Sequence, residues 1–399
     1  MTITAPSAWP LARVDRRATA LAAVDAIRDE LAAGAAESEA GRRLSDRAIN
    51  ALRDSGVLGI MTPDDLGGNV VDAVTAFEVI EKIGHIDPAT AWTATILLEG
   101  AGELATVVSD DTARKIFASG IALKAGSLKP GTATRVDGGY VMSGRWDFVS
   151  GLHHADYVTA TFLIDHEDGQ TVRRAALLPR AEIDVLDDWR VLGMRGTGSS
   201  SFRAEQVFVP DDMIYDPLGE GRRTDTALSR LGMVPFVLQM HPGMVLGAAR
   251  RALDEIITAA PKIRRGGRIN LQQPPALTEL TWFRRELGEL DARIRAARSL
   301  CIDTLHQVND VVDACGRVQL PLLDQMQTAA SLAAKTSVEV VTRAFRHAGA
   351  GAILEDSILS KLLRDLNTIS AHGVMGEAGF ESHAEFILGL QTDDNRRMV

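Results

Sequence analysis

Apolar residues recur along this chain at two periods, and the change of period divides it. Through the first part they fall three and four apart, in 18–33, 45–52, 74–83, 89–107 and 110–117, the spacing that lines one face of an α-helix. Local chemistry marks the ends. Ser45 is placed to cap the helix that runs to Leu52 and Gly56 to stop it, Asp87 and Pro88 open the long helix after them, and Asp110 caps the last. Residues 1 to about 15 show no such pattern and read as a loose arm.

Between about 120 and 215 the period shortens. Apolar, β-branched and aromatic residues alternate in 140–143, 146–149, 157–163, 171–178 and 202–209, separated by Gly, Asp and Pro. This predicts a compact β-barrel or sandwich. From about 228 the helical period returns over 235–260, 277–312, 320–349 and 358–372, which predicts a bundle of long antiparallel helices. The expected fold is mainly α with a central β-domain: an N-terminal helical domain over 1–118, the β-domain over 119–225 and a C-terminal four-helix bundle over 226–399.

Composition narrows the classes. With 399 residues, 46% of them hydrophobic, the chain buries a large core, and a formal charge of −10 gives no general attraction to nucleic acid or to an anionic membrane. No apolar run reaches the ~20 residues a membrane span needs and the first residues do not read as a signal peptide, so a cytoplasmic enzyme is expected. Cys301 and Cys315 are the two cysteines, with neither CxxC nor His/Cys ligand spacing, so two reduced thiols and no metal site are expected.

Two runs in the β-region carry candidate chemistry. In GRWDFVSG (144–151), alternation along a strand puts Trp146, Phe148 and Ser150 on one face. A flat heteroaromatic cofactor needs such a face, with aromatic rings on one side and a hydroxyl at its polar edge. An aromatic strand face packed on the core is the alternative. In LGMRGTGSSSF (192–202), glycines allow close backbone approach beside the hydroxyls of Thr197 and Ser199. By itself this run reads equally as a tight turn.

Taken in order, helical region, WDFVSG, RGTGS and helical region, the chain resembles the acyl-CoA dehydrogenase superfamily, within it the flavin-dependent monooxygenase branch that supplies the oxygenase components of two-component hydroxylases. The loop MTPDDLGG (61–68) is similar to a Pro/Gly loop near the start of that superfamily. The resemblance implies that Ser150 bonds the reactive edge of the flavin, that Trp146 and Phe148 wall it, and that Thr197 and Ser199 also bind the cofactor, in a loop on the flavin and substrate side of the β-domain. It also implies an arginine for the flavin phosphate, at Arg264 or Arg265 in KIRRGGRI, a stretch that reads otherwise as a solvated basic loop.

The tail, 346–377, carries LLRD (362–365) and is similar to the superfamily's closing segment. Dehydrogenases often place a glutamate base shortly after that RD; here the stretch is NTISAHGV and His372 takes the place. Their acidic TEP…GSD pattern is also absent, replaced by SLKPGTATRVDGGY (127–140). A histidine that some hydroxylases carry near the helix of Trp92 is missing, and Glu99 stands close to its position.

The resemblance therefore implies a monooxygenase that takes reduced FAD or FMN from a separate reductase and uses O2, through a flavin hydroperoxide, to oxygenate a small aromatic or polycyclic substrate, indole-like compounds among them. His372 and Ser150 are the catalytic candidates, and Trp92, Glu99, Phe236, Met240 and Trp282 the substrate-binding ones. The absence of GxGxxG after an early strand argues against an internal nicotinamide site. A homotetramer is implied by resemblance alone. The alternatives are an acyl-CoA dehydrogenase with a displaced base, at Glu377 or Glu99, and a non-catalytic flavin-fold binding protein.

Overall fold

The structure, a computed structural model, describes residues 9–165, 171–217, 223, 227–264 and 274–390. Six helices precede the sheet: α1 (Trp9–Ala26), α2 (Arg28–Gly41), α3 (Asp46–Asp54), α4 (Ala73–Ile86), α5 (Pro88–Val107) and α6 (Asp110–Ile116). Their starts follow the expected chemistry. Ser45 accepts from the Ala48 amide, Asp72 from those of Val74 and Thr75, and Asp87 from that of Thr90, with Pro88 in the first turn. Two expectations are corrected. Ser109, one residue before Asp110, caps α6, and the expected loose arm is already helical at Trp9. Arginines there pair with distant acids, Arg16 with Asp64 at 2.5 Å and Arg17 with Glu78 at 2.5 Å, and apolar periodicity does not register such partners.

The strands are β1 (Lys124–Val136), β2 (Gly139–Trp146), β3 (Tyr157–Asp165), β4 (Thr171–Pro179), β5 (Asp184–Val185), β6 (Phe202–Pro210) and β7 (Ile214–Tyr215). They form one sheet in the order β5-β6-β2-β1-β3-β4-β7, with β1 and β3 parallel and the other pairs antiparallel. β1 was not among the predicted strands, because SLKPGTATR carries Pro and Gly and is largely exposed or half-buried. Trp146 fills the sheet's interior. Its indole stacks on Phe202 (centroids 4.9 Å, planes 15° apart) and donates to Thr161 O at 3.2 Å. Gly131 and Gly144 leave it room, since a Cβ on either would stand 2.3 or 2.8 Å from the ring.

The C-terminal part contains α7 (Ala227–Leu231), α8 (Met233–Leu238), α9 (His241–Ala259), α10 (Thr281–Asp313), α11 (Leu320–Ala348), α12 (Ile358–Ile369) and α13 (Ala378–Ile387). α9 packs both on α11 and on α4, so the N-terminal and C-terminal helices share a core. Glycines set the second contact. A Cβ on Gly247 would lie 2.1 Å from Glu81 O, and one on Gly84 2.4 Å from Met244 O. Cys301 is buried in α10, Cys315 is exposed just beyond it, and both are free. Among the described residues no helix is long and apolar enough to cross a membrane, and no group of three or more His, Cys, Asp or Glu is arranged to hold a metal ion.

Candidate functional site

α5 is buried nearly all round. Only Ile96, Glu103 and Thr106 of its residues are more than marginally exposed. With Trp92 and Glu99 they make a single stripe at i, i+4, i+7, i+11 and i+14, one face of the helix. The candidate site is built against that stripe.

At its N-terminal end, Trp92 Nε1 donates to Ser150 Oγ at 2.8 Å, Ser150 Oγ lies 2.7 Å from Ser199 Oγ, Ser199 Oγ lies 2.7 Å from Thr197 Oγ1, and Thr197 Oγ1 donates to Met194 O at 2.9 Å. A hydroxyl has one proton and two lone pairs. Thr197 spends its proton on the carbonyl, so Ser199 must donate to Thr197 and Ser150 to Ser199. The chain of bonds thus runs one way, and Ser150 is left with a single free lone pair and no proton to give.

Backbone geometry brings the two hydroxyl loops together. Strand β2 stops at Trp146, and Phe148 takes a left-handed conformation (φ 61°), as do Gly151, Met194 and Gly198. Asp147 pins this turn. It accepts from Arg145 Nε at 2.7 Å and Ser201 Oγ at 3.0 Å and pairs with Lys129, whose hydrogen bond leads the contacts that hold its pKa down to about 2. The break corrects the expected strand face. Trp146 is wholly buried in the sheet, Phe148 is 77% exposed and edge-on to Trp189, and only Ser150 of the three joins the hydroxyl chain. Trp146 is therefore core and no cofactor wall.

The 192–199 loop is held from the far end of the chain. Asp365 Oδ1 accepts from the Met194 amide at 2.6 Å, and Lys361 Nζ lies 2.6 Å from both Asp365 Oδ2 and Asp87 Oδ1. Asp87 also caps α5 through the Thr90 amide at 2.8 Å. Arg364 adds a bond to Leu192 O at 3.2 Å, and α12 comes so close that a Cβ on Gly193 would be 2.2 Å from Arg364 O. One buried network thus fixes the start of α5, the hydroxyl loop and the helix before His372. The i, i+4 spacing of Lys361 and Asp365 was the available signal for it.

His372 follows α12 with its ring edge-on to Trp92 (centroids 4.9 Å, planes 75° apart) and nearly parallel to His241 (6.3 Å, 16°). More than a third of its surface is open, yet protein surrounds the ring closely enough that burial and His241 push its pKa down to about 4. With water also at the ring, the direction toward neutral imidazole is what matters. His241, which sequence reasoning left without a role, opens α9 and is fully enclosed. Its Nδ1 donates to Val237 O at 2.9 Å and lies 3.2 Å from Glu99 Oε1. Because the N–H is directed at Val237, Glu99 Oε1 is buried without a hydrogen bond. Burial raises the Glu99 pKa; burial opposes charge on His241, but Glu99 outweighs it and raises that pKa too.

The structure therefore unites Trp92, Ser150, Thr197, Ser199, Glu99 and His372. Phe236 lies against Gly102, one turn along α5 from Glu99, where a Cβ would meet its ring at 2.5 Å. Met240 is completely buried and lines nothing. Trp282, 45% exposed at the start of α10, packs on Phe283 and His347 and is no part of this group. Arg264 is exposed and pairs with Glu279 at 3.4 Å; Arg265 lies outside the described residues. Glu377, offered as a displaced base, is 71% exposed and bonded to Lys335.

Comparison with known proteins bears on this geometry. The family model "Acyl-CoA dehydrogenase, N-terminal domain" matches residues 15–117, and "Acyl-CoA dehydrogenase, C-terminal domain" matches residues 239–377. An indole-3-acetate monooxygenase of Pseudomonas putida is 27% identical over 379 residues, 93% of each chain. The flavin-dependent monooxygenase oxygenase subunit HsaA of Mycobacterium tuberculosis is 32% identical over 199 residues, 48% of each. The solved structure of XiaF from Streptomyces sp. in complex with FADH2 and glycerol superimposes with a TM-score of 0.87 at 25% identity, covering 95% of this chain and 97% of that one.

Proposed function

We propose, from the premise that this chain belongs to the acyl-CoA dehydrogenase superfamily in its flavin-dependent monooxygenase branch, that it is the oxygenase component of a two-component system acting on a small aromatic substrate. Reduced FAD or FMN, delivered by a separate reductase, supplies two electrons to O2 so that one oxygen atom enters the substrate and the other leaves as water.

The observation that carries this reading is the polarity of the hydroxyl chain. Reduced flavin presents an N–H at its central ring where the oxidised form has a bare nitrogen. Ser150, with one lone pair free and its proton committed to Ser199, accepts from the first and has nothing to offer the second. The site residues thus fit a reduced flavin. Phe148, two residues before Ser150 and exposed with its edge toward Trp189, is the aromatic side chain left uncovered near this turn. Thr197 and Ser199 keep the acceptor oriented, and a neutral His372 beside Trp92 can hold a proton at one ring nitrogen and accept at the other. Proton help of this kind contributes about two to four orders of magnitude in rate. The flavin phosphate goes to Arg264 or Arg265, in a cytoplasmic homotetramer divided near residues 118 and 225.

A dehydrogenase reading has less support. It needs a carboxylate base at the reacting carbon, and Glu377 is bound to Lys335 at the surface. The test supplies reduced FAD or FMN, oxygen and a panel of aromatic compounds, and measures oxygenated product alongside affinity for both flavin redox states. Oxygen-dependent product with reduced flavin bound at least tenfold more tightly is expected. Reduction of bound flavin by an acyl-CoA thioester under anaerobic conditions, or thioesters binding more tightly than uncharged aromatics, overturns it.

A further inference from the structure

A polar stripe runs along α11. Asp324, Thr328, Ser331 and Lys335 follow one another at i, i+4, i+7 and i+11, one face of the helix, and all four meet the segment that comes after His372. Asp324 Oδ2 lies 2.6 Å from His383 Nδ1, Thr328 Oγ1 lies 3.3 Å from Gly379 O, Ser331 Oγ donates to Gly376 O at 2.7 Å, and Lys335 Nζ donates to Glu377 Oε1 at 2.8 Å. Asp324 and Ser331 are buried. Because Asp324 Oδ1 is enclosed without a partner, the His383 ring is the one donor to this carboxyl among the described residues, and the contact calls for the proton on Nδ1.

Apolar packing adds little to this docking. Of the residues of α13 only Gly379 is buried, whereas α12, just before His372, buries Leu359, Leu362, Asp365, Leu366 and Ile369. Gly379 sits so close to α11 that a Cβ would stand 2.5 Å from Ser331 Oγ and 2.6 Å from Gln327 O. A helix seated by a few polar bonds and one glycine opens at a lower cost than the bundle beneath it. His372 stands at the junction of the two. Its amide donates to Ile369 O at the end of α12, and its carbonyl accepts from the Met375 amide, each at 2.9 Å. Met375 is buried, and Gly376 after it carries the carbonyl that Ser331 holds. The ring against Trp92 is therefore fixed from one side by α12 and from the other by α11.

Resting on the monooxygenase reading above, we infer that Ser331 and the Asp324–His383 pair are positioning residues for His372: they seat α13 and the turn before it on α11, and so hold the imidazole against Trp92. With α13 unseated the imidazole leaves Trp92. Reduced flavin and O2 then give oxidised flavin and hydrogen peroxide in place of oxygenated product and water.

Amide hydrogen exchange over 373–387 and product per reduced flavin consumed test this together. In the wild-type protein 373–387 should exchange as one unit and faster than 358–369. Ser331→Ala should quicken exchange over 373–387 by about 2- to 10-fold, the range one hydrogen bond covers, and leave 358–369 unchanged. His383→Leu should do the same, and His383→Asn, whose amide replaces the Nδ1 donor, should not. Gly379→Ala favours the helix itself but bars its seat on α11, so product yield should fall to the level of His372→Ala, and combining the two should lower it no further. Wild-type exchange over 373–387 as slow as over 358–369, an equal change in both segments in Ser331→Ala, His383→Asn behaving as His383→Leu, or a product yield that Gly379→Ala leaves unchanged or lowers additively with His372→Ala overturns the inference. The wild-type exchange stands even if a variant does not fold, and it reads the seating of α13 whether or not product forms. Failure of the parent reading is recognised separately, by absence of oxygen-dependent product from the wild-type protein with every aromatic tested.

Discussion

Replacing Lys361 by methionine tests whether the buried charge network holds the site together. Lys361 lies 2.6 Å from two carboxylates, Asp365, wholly buried, and Asp87, 2% exposed at its side chain. At an effective dielectric of 20 each contact is worth about 6 kcal/mol of gross attraction, offset by several kcal/mol of lost hydration for each ion. The net value of the network is therefore small, but breaking it from one side is not. Lys361→Met strands two carboxylates without their cation, a loss of about 3–5 kcal/mol at neutral pH from a typical total of 5–15.

The loss depends on pH in a definite direction. Burial already raises the pKa of Asp365 against the pull of Lys361; without the lysine it rises further above the unfolded value of about 3.9. A carboxyl with a raised folded pKa takes up a proton on folding, so the variant is favoured in acid and loses stability as pH rises toward that folded pKa. Urea unfolding at pH 5.5 and pH 8 should show the larger deficit at pH 8. Adding Asp365→Asn, which keeps an oxygen for the Met194 amide and removes one stranded charge, should recover part of it. A deficit below 1 kcal/mol at pH 8, or one that grows toward acid, refutes the reasoning.

His372→Ala should fold and bind reduced flavin yet divert turnover from oxygenated product to hydrogen peroxide; equal product per reduced flavin consumed in the variant, with Ser150→Ala run in parallel, would show that the site is misassigned. Because its surroundings push the His372 pKa below the ordinary imidazole range, the wild-type coupling ratio should show no His372 step between pH 7 and 9. Phe148→Ala, at a residue 77% exposed, should change stability by less than about 0.5 kcal/mol while weakening reduced-flavin binding by up to about tenfold, measured by calorimetry under anaerobic conditions.

Much of this architecture was legible in the sequence because it rests on local rules. Caps at Ser45 and Asp87 and the period of α9 to α12 appear as written. Ser150 and His372 both contact Trp92, and Trp146 and Phe148 do not share the face of Ser150 that the alternation predicts. Strand alternation was carried four residues too far, from Trp146 to Ser150, past a left-handed Phe148 that a non-glycine sequence does not advertise. The Glu99–His241 contact and the reach of the Lys361 network beyond its i, i+4 partner Asp365 were not legible. They depend on how α5, α9 and α12 pack, and no spacing along the chain encodes the approach of residues that far apart.

The bond from the Met194 amide to Asp365 also spaces events in time. Its partners are 171 residues apart, and at about 5–20 residues per second a ribosome needs roughly 10 to 30 s to travel from one to the other. During that interval the sheet strands are all made, but the loop bearing Thr197 and Ser199 lacks its anchor on α12. The hydroxyl loop is thus made well before the helix that pins it, and the site is completed only after α12 has emerged.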